Sequence, residues 1–219
     1  MDKTVENFYL KNPEREDYYS NYVSSHMPRC IWVMERFGMD KVINKRILGI
    51  GDGPGMNLSL LNKNNYLVNM DGAKLDKKLC HFLNLRVDFN RPDFGMLFDN
   101  EEKFDYIIAC ELIEHVSNIN NLMREMKNLL KINSHAIFTI PHESVWHPTS
   151  IPGLFFPHEN FKQYIEQWAF IVEDFDIYQQ GWKTVCYKVR NAPIQESRPK
   201  YFKEEVKFLN SYPDDWPNL

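Results

Sequence analysis

The 219-residue chain is short of several things, and each shortage excludes something. It has nine glycines, fewer than average usage supplies, so a collagen-like repeat is excluded. It has no internal repeat and no low-complexity linker. Its four cysteines, Cys30, Cys80, Cys110 and Cys186, are scattered without CxxC spacing. They read as four reduced thiols of a cytoplasmic protein. No apolar run approaches the length of a membrane span, and the polar, acidic start MDKTVENFYLKNPERED has no apolar stretch of signal-peptide type. Positive charge is not in excess either. The net charge is −4, so the global basic footprint of a nucleic-acid binder is missing.

What remains is an ordinary globular composition, 43% hydrophobic and 14% aromatic. That excludes intrinsic disorder and suits one domain with a sizeable core. Residues 1–45 are polar and aromatic, and their second half reads as a helix ending near Gly38. Short apolar runs follow at Arg46–Ile50, Tyr66–Met70, Leu83–Phe89, Phe104–Cys110 and Ala136–Ile140, each closed by turn residues, as buried strands are. Between the last two, Ile119, Leu122, Met123, Met126, Leu129 and Leu130 recur at helical spacing through INNLMREMKNLLK. Phe161, Tyr164, Ile165 and Trp168 repeat that spacing. Ala169–Tyr178 and Thr184–Val189, joined by Gln179-Gln180-Gly181, read as an antiparallel pair. Strands separated by helices predict an α/β layered fold with a mostly parallel sheet, and a closing antiparallel strand is compatible with it. The ligand site of such a sheet lies off the carboxyl ends of its strands, where strand order reverses. Those ends fall at 51–55, 71–72, 88–90, 110–115 and 141–147.

Four of the nine glycines sit together at the first of these places: Gly49, Gly51, Gly53 and Gly55. Glycine there permits positive φ and close approach of backbone to a ligand. The spacing is not the dinucleotide fingerprint, because Met56 stands where its third glycine belongs, and no Lys-Ser/Thr follows to make a P-loop. Pyrophosphate is disfavoured. Two carboxylates follow at successive strand ends. Asp71, twenty residues after Gly51, can accept both hydroxyls of a ribose. Asp88 can accept from an adenine amino group, with Phe89 packing on the ring. Together they describe a nucleoside pocket without a phosphate cradle.

The ordered stretches ILGIGDGPG, VNMDGA, VDFNRP and FDYIIACELIEHV resemble the motifs of class I S-adenosylmethionine-dependent methyltransferases, over about residues 46–190. The resemblance implies a Rossmann-like three-layer sandwich whose seven-stranded, mostly parallel sheet has one antiparallel strand. It implies S-adenosylmethionine as donor and S-adenosylhomocysteine as product. It puts Gly49, Gly51, Gly53 and Gly55 in the cofactor loop, Asp71-Gly72 at the ribose, Asp88 and Phe89 at the adenine, and the backbone of Cys110 and Glu111 beside the donor. One departure stands out. The family usually has an acid two residues before the first loop glycine, and this chain has Gly49. That points to weaker binding, to a compensating acid such as Asp52, or to a degenerate, non-catalytic cofactor-binding domain.

A hydroxyl acceptor needs a base, and histidine titrates near neutrality. Five of the seven histidines are His115, His135, His142, His147 and His158. His142 directly follows the AIFTIP strand and is the first choice for the base, with His115 beside it. The segment HESVWHPTSIPGLFFPH then reads as a cover over the acceptor. Glu111, Glu114 and His115 form an E-x-x-E-H sequence. In many small-molecule members it packs the helix after strand four. In RNA 3′-end 2′-O-methyltransferases a similar sequence, with a later histidine placed loosely like His158, holds magnesium. Magnesium tolerates few histidines, and net negative charge argues against RNA, so a resident metal is not favoured. These readings predict one methyltransferase domain over 1–219, with an N-terminal helical or lid segment at 1–45, a core at 46–190 and a C-terminal strap at 191–219. The expected partner is a small-molecule hydroxyl acceptor, a sugar or nucleotide-sugar being favoured, with no membrane and no nucleic acid.

Overall fold

A computed structural model describes residues 16–72, 78–89, 91, 94–98, 102–116, 118–142, 158–180 and 183–193, with side chains from Val23 onward and, in the helix at 158–167, from Phe161. Seven strands form one sheet in the order β3-β2-β1-β4-β5-β7-β6. They are β1 (Arg46–Ile50), β2 (Tyr66–Asp71), β3 (Leu83–Arg86), β4 (Phe104–Cys110), β5 (Leu130–Pro141), β6 (Phe170–Tyr178) and β7 (Thr184–Asn191). The first five pair in parallel. β7 is inserted between β5 and β6 and runs antiparallel to both. The expected mostly parallel sheet with one reversed strand is the fold observed.

The helices cover both faces. α1 (Glu16–Arg36) buries Val33, Met34 and Phe37 against Ile47, Ile108 and Ile137. On the other face, α2 (Ile119–Leu129) and α3 (His158–Gln167) pack Leu122, Met123, Phe161 and Ile165 against Leu48, Ile107 and Phe138. Both sheet faces are therefore buried, which is why the central strands read as continuous apolar runs rather than as alternation.

Several boundaries differ from the expectation by a residue or more; β7, for one, runs on to Asn191 rather than ending at Val189. β3 ends at Arg86 rather than Phe89. Val87 still donates to the Asp71 carbonyl at 2.9 Å, and Val87 and Phe89 then turn into the core. α2 stops at Leu129, not Lys131, because Leu130 is extended and pairs with Phe104 in β5. β5 consequently starts six residues before Ala136, Leu130 being its first residue. Asn133, with φ of 63°, and a register shift against β4 interrupt that early part. Its polar, half-exposed residues carry no apolar signal.

Candidate active site

Strand order reverses between β1 and β4, so the crevice predicted for this topology opens at their carboxyl ends. The loop leaving β1 forms its floor. Gly51, Gly53 and Gly55 all have positive φ, at 68°, 53° and 90°. A Cβ on Gly51 would lie 2.6 Å from Leu112 Cδ1, and one on Gly55 would overlap the Phe82 ring, whereas one on Gly53 would meet nothing within 4 Å among the described residues. Gly53 is thus the member of the loop that faces open space, a cradle that a side chain would fill. The loop then runs into a single 3-10 turn, Leu58–Leu60.

The loop is fastened from below and from the side. Asp52, 3% exposed, accepts from Asn57 N at 2.9 Å and Asn57 Nδ2 at 2.7 Å through one oxygen, and from Leu58 N at 2.9 Å through the other. Burial pushes the Asp52 carboxyl up to about 6, and the nearby Asp71 adds to this. Asp71, at the end of β2 and 8% exposed, accepts from Gly53 N at 2.8 Å. The proposed ribose acid and the open glycine are therefore direct neighbours. Gly72 follows on the same strand end, its carbonyl accepting from Arg86 Nε at 3.3 Å. Asp88 is half-buried beyond β3, and its carbonyl accepts from Arg91 N. The Phe89 ring is buried in the core, edge-on to Phe94 at 5.5 Å between centroids.

Beside the loop, β4 ends in Cys110 and Glu111. Glu111 is a non-glycine residue at φ 50°, and such strain is concentrated at functional sites. Its backbone N donates to Thr139 Oγ1 at 3.0 Å, and that hydroxyl donates to Glu111 Oε1 at 3.0 Å. Its other carboxylate oxygen lies 3.4 Å from Arg29 Nη1. Glu114 is 5% exposed, and its Oε2 has no hydrogen-bond partner among the described residues. Burial, with the Glu111 charge beside it, drives the Glu114 carboxyl well above the usual range. His115 Nε2 lies 3.8 Å from Glu114 Oε1. His142 follows β5, its N–H bonded to the Lys183 carbonyl at 3.0 Å. The two histidines named as bases thus sit beyond the ends of adjacent strands.

Among the described residues no group of three His, Cys, Asp or Glu is arranged to hold a metal ion. Glu111 is engaged by Arg29 and Thr139, and the side chain of His158 and all of 143–157, His147 included, lie outside the described residues. His135 is a surface residue of β5, 3.0 Å from Glu173. All four cysteines are free. Burial raises Cys30 and Cys186 to about 12 and Cys80 to about 11, and holds Cys110 well above its ordinary value. No thiolate nucleophile operates near neutral pH among them.

The sequence reading did not single out Arg29 or Thr139. Thr139 carried a signal, as the lone hydroxyl in the apolar strand AIFTI. Arg29 carried none, because its partner is distant in sequence.

The profile of the methyltransferase-domain family matches residues 25–182, and the chain belongs to that family. Its seven-stranded sheet is the fold of a methyltransferase domain. No curated protein matches the chain in sequence. Solved structures do resemble it. One is 1,6-didemethyltoxoflavin-N1-methyltransferase of Burkholderia thailandensis, bound to 1,6-didemethyltoxoflavin and S-adenosylhomocysteine, with TM-score 0.64 and 11% identity over 86% of this chain and 87% of that one. Another is the N-methyltransferase NodS of Bradyrhizobium japonicum WM9 with S-adenosylhomocysteine, with TM-score 0.53 and 12% identity over 78% and 87%. A third is an S-adenosylmethionine-dependent methyltransferase of Clostridium acetobutylicum, with TM-score 0.52 and 11% identity over 86% and 97%.

Proposed function

We propose that this enzyme transfers a methyl group from S-adenosylmethionine to a hydroxyl of a small molecule, a sugar or nucleotide-sugar being favoured, in the cytoplasm. The observation that carries the donor reading is the pairing of Gly53, open to space, with Asp71 across a 2.8 Å hydrogen bond. Bound there, the donor supplies an electrophilic methyl on a sulfonium. The chain's own residues hold and orient it: the loop backbone lies along its methionine and ribose portions, Asp71-Gly72 takes the ribose, and Asp88 takes the adenine amino group. The backbone around Cys110 and Glu111 would lie beside the donor. His142 would take the proton from the acceptor oxygen. His115 is the second candidate for that role. Four protonated thiols support a reducing compartment. Net charge of −4 supports a small acceptor over nucleic acid. The whole of 1–219 is read as one domain, with 191–219 as a strap; beyond residue 193 that strap is outside the described residues.

Calorimetric titration should show saturable binding of both S-adenosylmethionine and S-adenosylhomocysteine. Asp71→Ala should weaken it by roughly 10- to 100-fold, the range expected for lost hydrogen bonds to a charged group. Unchanged affinity would remove the ribose assignment. With a hydroxyl acceptor in hand, His142→Ala should lower turnover by roughly 10²–10⁴-fold. Full turnover by that variant, or methylation of amines alone in an acceptor panel, would overturn the base and the oxygen acceptor respectively. Activity undiminished in excess chelator is the expected result for a reaction without a resident metal.

A further inference from the structure

Position 49 is where the family pattern has an acid, and this chain has glycine there. The structure fills the same space by another route. Gly49 lies mid-sheet, paired with Asn69 of β2 and Ile108 of β4, and a Cβ built on it would lie 3.3 Å from Asp52 Cβ and 3.1 Å from Leu58 Cδ1. The Leu58 side chain and, beside it, Asp52 Cβ border the room that a side chain at 49 would enter. The three hydrogen-bond donors to Asp52 among the described residues, Asn57 N, Asn57 Nδ2 and Leu58 N, are neutral. Its negative charge is therefore held by dipoles, with no ion pair among the described residues. The ionisable groups that share its surroundings are Asp71 of β2, Cys80, Cys30 of α1, Cys110 of β4 and, acting with Asp52 on Cys30, Arg29 and Glu111. Arg29 is the one cation of this described set, and it lies 3.4 Å from Glu111.

We propose that Asp52 is the displaced acid of this loop, and that its buried charge makes the site prefer the positively charged methyl donor over the neutral thioether product. The proposal rests on the cofactor reading above and adds a selectivity residue to it. Donor and product share the same adenine, ribose and methionine contacts and differ at sulfur by one methyl and one positive charge. Hydrogen bonds to the shared parts bind both alike. A fixed charge in a poorly screened interior acts in addition on the sulfonium, which the donor carries and the product lacks. The consequence is directional: once the methyl has left, the charge that held the donor no longer holds the product.

The test compares the two dissociation constants on the full chain by calorimetry, with thermal unfolding as a check on folding. In Asp52→Asn, affinity for S-adenosylmethionine should fall about tenfold more than affinity for S-adenosylhomocysteine, equivalent to about 1.4 kcal/mol of charge-specific binding. In the double variant Gly49→Asp/Asp52→Gly the acid re-enters from the strand, the contact with Asp52 Cβ is gone and the Leu58 side chain shifts by a few tenths of an ångström to admit it, so the wild-type ratio should return. Equal weakening of both ligands in Asp52→Asn would overturn the proposal and leave Asp52 as a loop brace only. If that variant fails to fold, wild-type protein decides: the donor-to-product preference should shrink as pH falls through about 6, and a preference constant from pH 5 to 8 would overturn the proposal. Wild-type protein that binds neither ligand would instead overturn the cofactor reading.

Discussion

Gly51, Gly53 and Gly55 share a left-handed backbone, but their neighbours divide them. Replacing Gly51 by alanine adds a steric conflict with Leu112 to the cost of positive φ, so Gly51→Ala should destabilise the fold by roughly 3 kcal/mol. Gly53→Ala meets only the backbone term, about 1–2 kcal/mol, yet its methyl would fill the space beside Asp71. Thermal melts and cofactor titrations should therefore separate the two: stability loss dominates at 51 and loss of binding dominates at 53. A Gly53→Ala protein that binds normally would mean the ligand does not pass this glycine. The buried acids make a second residue-level prediction. Asp52 is pushed from 3.8 to about 6 in the fold, mainly by burial. A raised carboxyl binds its proton more tightly folded than unfolded, so its contribution to stability falls as pH rises from about 4 to about 6. Glu114 is shifted in the same direction. In the ligand-free protein, the stability of Asp52→Asn relative to wild type should rise across that window by up to about 3 kcal/mol. A flat difference between the two pH profiles would show that Asp52 is not shifted.

At the level of elements, α2 was legible because its apolar residues repeat at helical spacing and its start is fixed by Asn118, whose side chain accepts from Asn121 N. Leu122 is fully buried on its inner face, and Leu122→Ala should cost about 3 kcal/mol in denaturant unfolding. β5 was only half legible. Its second half, Ala136–Ile140, is buried and apolar, whereas Asn133, Ser134 and His135 lie on an interrupted, half-exposed stretch where the pairing partner rather than the side chains sets the strand. β3 shows the converse. The alternation continues to Phe89, but the ladder ends at Arg86, because Val87 and Phe89 are drawn into the core rather than kept on a sheet edge.

Across the whole molecule, α1 is part of the core. Val33 and Met34 are 1% exposed and Phe37 is 6% exposed, closing one face of the sheet. Arg36 clasps Asp174 and Asp176 of β6, and Trp32 packs on Tyr178 at 5.4 Å. Burial of three such side chains is worth roughly 5–8 kcal/mol, comparable to the entire stability of an ordinary domain. Removal of residues 1–38 should therefore abolish cooperative thermal unfolding. A truncated protein with an unchanged melting transition would show that the sheet stands without this helix. Arg36→Ala should cost less, about 1 kcal/mol and less at high salt, because that clasp is partly solvated.

The alternation of strands and helices, the glycine turn after β1, and the acids at the end of β2 and just beyond β3 are written in the sequence. These depend on local periodicity and on backbone conformations that particular residues permit. Tertiary packing is what puts β7 between β5 and β6, brings Arg29 to Glu111 from a helix far back in the chain, draws Phe89 into the core, and sets Leu58 and Asp52 against Gly49. Each of these is a contact between residues on different elements or across a folded loop. Close packing, which no spacing along the chain records, selects which of them meet.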